Sequence, residues 1–151
     1  MPDLSESPAA RDALEALYRE VVLEHYRNPR NRTALARVTG EARVVNPICG
    51  DQVHVEVELV DGRIASVSAR ARGCSIAVAS GSVMTELVRG VTPAAARAVS
   101  DSLARVVRGE PAPAELDPRL RAFARVAALP SRRRCATLAW EALAEALGAS
   151  H

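Results

Sequence analysis

Residues 53–72 read VHVEVELVDGRIASVSARAR, and this stretch decides the fold. Val53, Val55, Val57 and Leu59 alternate with His54, Glu56 and Glu58. Successive side chains of a strand point to opposite faces, so this is a strand with one dry face and one wet face. Asp61–Gly62 follows, a pair suited to a two-residue hairpin turn. A return strand from Arg63 to about Arg72 is expected. Its alternation is imperfect, because Ile64 and Val67 differ in parity, and a β-bulge accounts for that. Upstream, EARVV at 41–45 is a short strand candidate broken by Asn46–Pro47. Three antiparallel strands in a meander are therefore expected.

Either side of the strands the period changes. Ser7–Pro8 reads as a helix start, with Ser at the N-cap and Pro in the first turn. Leu14, Leu17, Tyr18, Val21, Val22 and His25 then share one helical face, up to Asn28–Pro29. After Gly73, the positions Ile76, Ala79, Ser80, Val83, Leu87 and Val88 predict a helix ending at Gly90. Thr92–Pro93 opens another, with Ala96, Val99, Leu103, Val106 and Val107 inward and a stop at Gly109. EPAPAELDP (110–118) is a linker, and Asp117–Pro118 starts a short helix through Leu120, Phe123 and Val126. Pro130 precedes a last helix whose face carries Cys135, Leu138, Ala139, Ala142 and Leu143. The order predicts an α+β fold, a three-stranded antiparallel sheet with helices on one face. We expect a single domain over residues 1–151, with residues 1–7 as a tail.

Composition narrows the function. Apolar residues make up 48% and aromatic residues 3%, so the core must be aliphatic. All 20 basic residues are arginine, and 18 acidic residues leave a net charge of +2. A near-neutral chain lacks the concentrated basic face that nucleic acid demands. No apolar run reaches the roughly 20 residues of a membrane span, and MPDLSESPAARD has neither the basic nor the apolar region of a signal peptide. A cytoplasmic protein is expected. There, three cysteines read as thiols or metal ligands before disulfides.

Those cysteines lie at element ends: Cys49 in NPICGD between the first two strands, Cys74 in RGCS where strand gives way to helix, Cys135 near the start of the last helix. Asp51 is two positions from Cys49. Three thiolates and a carboxylate make a four-coordinate set suited to zinc, and thiolate softness admits iron as well. No CxxC knuckle is present, so the fold must gather the ligands, and cysteine also serves as a plain core residue. Helix N-termini at Cys74 and Cys135 favour thiolates. Arg132, Arg133 and Arg134 add positive charge, and they equally suit a solvated helix start. His25 reads as a core histidine, His54 as a wet-face residue and Trp140 as packing.

The segments LYREVVLEHYRNPRNR (17–32), NPICGDQVHVEVELVDGRI (46–64), GCSIAVASGSVMTELVRG (73–90) and CATLAWEALAEAL (135–147) resemble the SufU branch of the IscU/NifU N-terminal family, in family order. The resemblance implies zinc, or a transient iron–sulfur cluster, held by Cys49, Asp51, Cys74 and Cys135. It also implies a zinc-dependent sulfurtransferase that accepts persulfide sulfur from a SufS-type cysteine desulfurase and feeds the downstream assembly machinery. True IscU scaffolds carry an LPPVK segment and a His before the third cysteine. Here the region reads LPSRRRC (129–135), with Arg134 at the place of the His. The stretch around 101–118 fits a SufU insertion. Arg132 matches a SufU arginine expected to contact the desulfurase. Cys49, on a Gly-flanked loop, is the expected acceptor, although in IscU the last cysteine, at the place of Cys135, is often assigned that role. The rival readings are a non-catalytic scaffold for a [2Fe–2S] cluster and a purely structural zinc domain.

Overall fold

Strands β1 (Gly40–Val45), β2 (Gln52–Val60) and β3 (Arg63–Arg72) form one antiparallel sheet in the order β1-β2-β3, in a computed structural model that describes residues 7–148. The expected tail over 1–7 lies outside the described residues apart from Ser7. The meander follows from the period-two pattern and from the turn, where Asp61 and Gly62 take φ of 52° and 76°. Positive φ at both central residues matches the turn to the twist of the strands. The bulge is present as well. Pairing steps from Glu58↔Ser66 to Leu59↔Ile64, leaving one extra residue on β3.

Helix α1 (Pro8–Arg27) starts where Ser7 accepts a hydrogen bond from Ala10 N–H. Helix α2 (Ser75–Val88) follows β3 directly, α3 (Pro93–Val106) is capped by Thr92, and α5 (Arg133–Gly148) closes the chain. Helix α5 packs on β1 and β2, α2 on β3 and α5, and α1 on α2. The dry face of the sheet, with Val53, Val55 and Val57 fully buried, meets Leu138, Ala139 and Val83 in one aliphatic core. Trp140 packs there too, its polar tip donating to Ser80 Oγ at 3.2 Å while Ser80 donates to the Ala136 carbonyl. A buried indole N–H left without an acceptor would cost about 1–3 kcal/mol.

Two elements differ from the sequence reading. The segment after Asp117–Pro118 is α-helical only over α4 (Pro118–Arg121) and continues as a 3₁₀ helix over Ala122–Ala128. Leu120, Phe123 and Val126 recur every third residue, all fully buried, and three residues per turn is the 3₁₀ period that aligns them. Glu56, expected on the wet face, is buried. Residues 31–39 run beside the sheet, and Leu35 N–H donates to Glu56 Oε1 at 3.1 Å, with Arg70 3.5 Å from the same carboxylate.

His25 is buried, with Nδ1 2.7 Å from Ser82 Oγ. Burial, reinforced by the Arg30 charge, holds its pKa below the ordinary 6.5. The unfolded chain therefore binds this proton more readily than the native one. Its contribution is complete above pH 6.5 and is lost as pH falls below that value. Urea unfolding of the metal-free protein should show stability declining from pH 6.5 downward. His25→Gln should flatten that decline, and an equal slope in the variant would count against it.

Candidate metal centre

The site forms at one end of the sheet, where three element junctions meet. Between β1 and β2 the chain makes a turn built on Asn46, which is buried. Asn46 N–H donates to the Asp51 carbonyl at 2.8 Å, Gly50 N–H donates to the Asn46 carbonyl at 2.8 Å, and Ile48 N–H donates to Asn46 Oδ1 at 3.1 Å. Gly50 supplies the φ of 78° that closes the turn. Cys49 is thereby held exposed at the tip while Asp51 points inward and is buried. The turn is thus tied down at Asn46, so the exposure of Cys49 comes from turn geometry more than from the freedom expected of a Gly-flanked loop.

Cys74 is the N-cap of α2 and half-buried. Its backbone N–H donates to Asp51 Oδ1 at 3.0 Å and its thiol to Oδ2 at 3.2 Å. Cys135 lies in the first turn of α5 and is fully buried. The ligand atoms of Cys49, Asp51 and Cys135 all lie within 4.8 Å of one another, and Cys74 joins them through Asp51. Gly73 leaves the space that Asp51 fills. A Cβ there, at a φ of +134°, would sit 1.9 Å from Asp51 Oδ1.

Burial raises the Asp51 pKa, but hydrogen bonds from the Cys74 thiol and N–H, then from Cys135 and Cys49, outweigh it and hold the carboxylate below its usual range. Cys135 moves the other way: burial first, then its hydrogen bonds to Asp51 and Cys74, push its thiol far up. A carboxylate gathered together with three thiols suits a divalent cation, which takes the place of the thiol protons. With three of the ligand atoms inside 4.8 Å of one another and the Cys74 sulfur 3.2 Å from the same carboxylate, the groups are close enough to share one four-coordinate zinc. The donor set fits zinc, with Cys49, Asp51, Cys74 and Cys135 as the groups that would hold it.

Two arginines flank the site. Arg132 is exposed, and its pKa is raised by the charge of Cys74 and a hydrogen bond to it. Arg134 pairs with Glu141 at 3.1 Å, and its pKa is raised by that pair and, to a lesser degree, by Cys49. Arg133 turns away and donates to the Ala127 carbonyl at 2.7 Å. Tyr18, assigned by periodicity to a helix face, stacks edge-on against Phe123, and its hydroxyl senses Arg125, Cys74 and Arg132 after burial. A second acidic–histidine cluster, Glu41, His54 and Glu56, lies on the outer sheet face. Both His54 nitrogens are engaged there, by Arg70 at 2.9 Å and Glu41 at 3.2 Å.

Two residues beside the site, Gly73 that leaves it room and Ile48 that stands outside it, escape a reading of the sequence. Gly73 stands in RGCS, yet only the fold shows that Asp51 lies against it. Ile48 is 91% exposed, a large apolar residue in a turn, and that mismatch is the signal that marks it.

The profile of the NifU-like N terminal domain matches residues 17–150. The chain is 34% identical over 134 residues to the zinc-dependent sulfurtransferase SufU of Bacillus subtilis, covering 86% of this chain and 88% of that protein. It is also 34% identical over 139 residues to the iron–sulfur cluster assembly scaffold protein IscU of Streptococcus pyogenes serotype M1, covering 91% and 87%. Among solved structures, the N-terminal part of a nitrogen-fixing NifU-like protein from Brucella abortus superposes with a TM-score of 0.82 at 26% identity, covering 91% of this chain and 96% of that one.

Proposed function

This chain belongs to the NifU-like N-terminal domain family, and from that premise we propose that it is a zinc-dependent sulfurtransferase working in the cytosol as a single domain. Its sulfur donor is a SufS-type cysteine desulfurase, and its product feeds iron–sulfur cluster assembly. The observation that carries this reading is the pairing of an exposed Cys49 with a buried Cys135 around one carboxylate. A purely structural site would have no reason to hold one thiol at the surface of a tied turn.

Zinc, when bound, supplies the positive charge that keeps the thiols ionised at neutral pH. The residues divide the remaining work. Asp51, Cys74 and Cys135 hold the site from buried or half-buried positions, and Gly73 gives Asp51 its space. Cys49 is the acceptor. Its thiolate attacks the terminal sulfur of the donor's persulfide, and a new S–S bond forms as the old one breaks. The donor's cysteine leaves with the electron pair as a thiolate. The exchange is redox-neutral, and one persulfide replaces another. Arg132, exposed beside Cys74, favours the anionic persulfide and faces the desulfurase.

Trapping the loaded protein with an alkylating agent and mapping it by mass spectrometry tests the acceptor. The extra sulfur should be found on Cys49, and finding it only on Cys135 would sink the assignment. Asp51 has a separate prediction. Asp51→Ala should weaken zinc by about tenfold or more in a chelator competition, since it removes a charged ligand. Unchanged affinity would remove Asp51 from the ligand set.

A second reading is a scaffold on which a [2Fe–2S] cluster is assembled and handed on by the same four ligands. The equal identity to the IscU relative favours it. Anaerobic reconstitution with iron and sulfide separates the two, because a scaffold yields a stable cluster spectrum without the desulfurase.

A further inference from the structure

Ile48 carries an inference that rests on the sulfurtransferase reading and deepens it. Large aliphatic side chains are seldom left wholly in water, and Ile48 is the most exposed large apolar residue among the described residues, at 91%. The exposure is built into the turn. Asn46 is buried and binds the Ile48 N–H at 3.1 Å, and the turn is closed on the same residue by bonds of 2.8 Å on either side. The side chain is therefore held outward by fixed backbone, directly beside the exposed Cys49.

Chemistry then dictates what must cover it. Sulfur passes between two proteins only when the attacking and attacked sulfurs come within about 3–3.5 Å. Neighbouring Cα atoms are about 3.8 Å apart, so a protein that brings a sulfur to Cys49 must cover the residue next to it. We propose that Ile48 is a docking knob, seated in an apolar socket of the persulfide-donating protein beside its persulfide cysteine. The flanks of the knob define the rest of the partner. Arg132 is exposed next to Cys74, whereas Arg134 is already paired with Glu141, so a carboxylate facing Arg132 flanks the socket. The knob thereby contributes docking, while Cys49 contributes chemistry.

The test measures alanine release by the desulfurase against increasing zinc-loaded protein, for the wild type, Ile48→Ser and Ile48→Leu. Burial of an isoleucine side chain predicts that Ile48→Ser raises KM for the protein about tenfold or more, with kcat within about twofold. Ile48→Leu should restore the wild-type KM. Zinc content should be equal in all three, and so should sulfur uptake from a small-molecule donor, cysteine persulfide, which has no socket. An unchanged KM for Ile48→Ser, or a loss confined to kcat, overturns the knob while leaving the sulfurtransferase reading intact. A wild-type protein that takes sulfur from neither donor overturns both.

Discussion

With Cys49→Ala, alanine release by the desulfurase stays at its unstimulated rate, whereas the zinc-loaded wild-type protein raises it severalfold. The whole stimulation should be lost, because no other exposed thiol is present among the described residues. Cys135 is fully buried, so it is poorly placed to substitute. The variant is also a clean one. Cys49 is exposed and contributes nothing to the core, so the metal-free protein should unfold within about 0.5 kcal/mol of the wild type. Zinc will bind more weakly with one ligand gone, so the comparison is made at saturating zinc. Stimulation that survives in Cys49→Ala and vanishes in Cys135→Ala would transfer the acceptor role to Cys135. Stimulation by neither the wild type nor the variant would favour the scaffold.

The contrast between these two cysteines also shows what could be read from the chain alone. The sheet was legible because its information is local. Val53, Val55 and Val57 alternate, and Asp61–Gly62 can take positive φ at both positions. Even the bulge left a trace in the parity of Ile64 and Val67. The four expected ligands were picked out for a different reason: each stands at the end of an element, and the fold brings Cys49, Asp51 and Cys135 within 4.8 Å of one another, with Cys74 on the same carboxylate. The missing information is three-dimensional. Burial of Glu56 depends on residues 31–39 crossing to it, and nothing in the alternation of β2 encodes that crossing. The 3₁₀ course of Ala122–Ala128 depends on which period lets Leu120, Phe123 and Val126 reach the core together. The firmness of the Cys49 turn depends on a buried asparagine three positions earlier. A glycine next to Cys49 suggested freedom, while Asn46 removes most of it.

Gly73→Ala is expected to damage the site although Gly73 touches no metal and lies at the surface. The backbone there has a φ of +134°, which L side chains rarely adopt, and an added Cβ would lie 1.9 Å from Asp51 Oδ1 and 3.0 Å from Asp51 Cα. A rotamer change could move the carboxylate, but the Cα is backbone, tied through the Asp51 carbonyl to Asn46 N–H. Strain and overpacking together should cost about 2 kcal/mol or more. The carboxylate that moves is the one that gathers the Cys74 thiol and N–H, so zinc affinity should fall by about tenfold or more. Gly50 supplies the control. Its φ is also positive, at +78°, yet nothing lies within 4 Å of a Cβ there. Gly50→Ala should therefore cost only the conformational strain, about 1–2 kcal/mol, and leave Asp51 where it is. Urea unfolding of the metal-free proteins and chelator competition for zinc measure the two effects separately. If both variants lose stability but only Gly73→Ala loses zinc, the close approach of Asp51 to residue 73 is what shapes the metal centre. Equal zinc affinity in Gly73→Ala and the wild type would show that Asp51 holds its place without that gap.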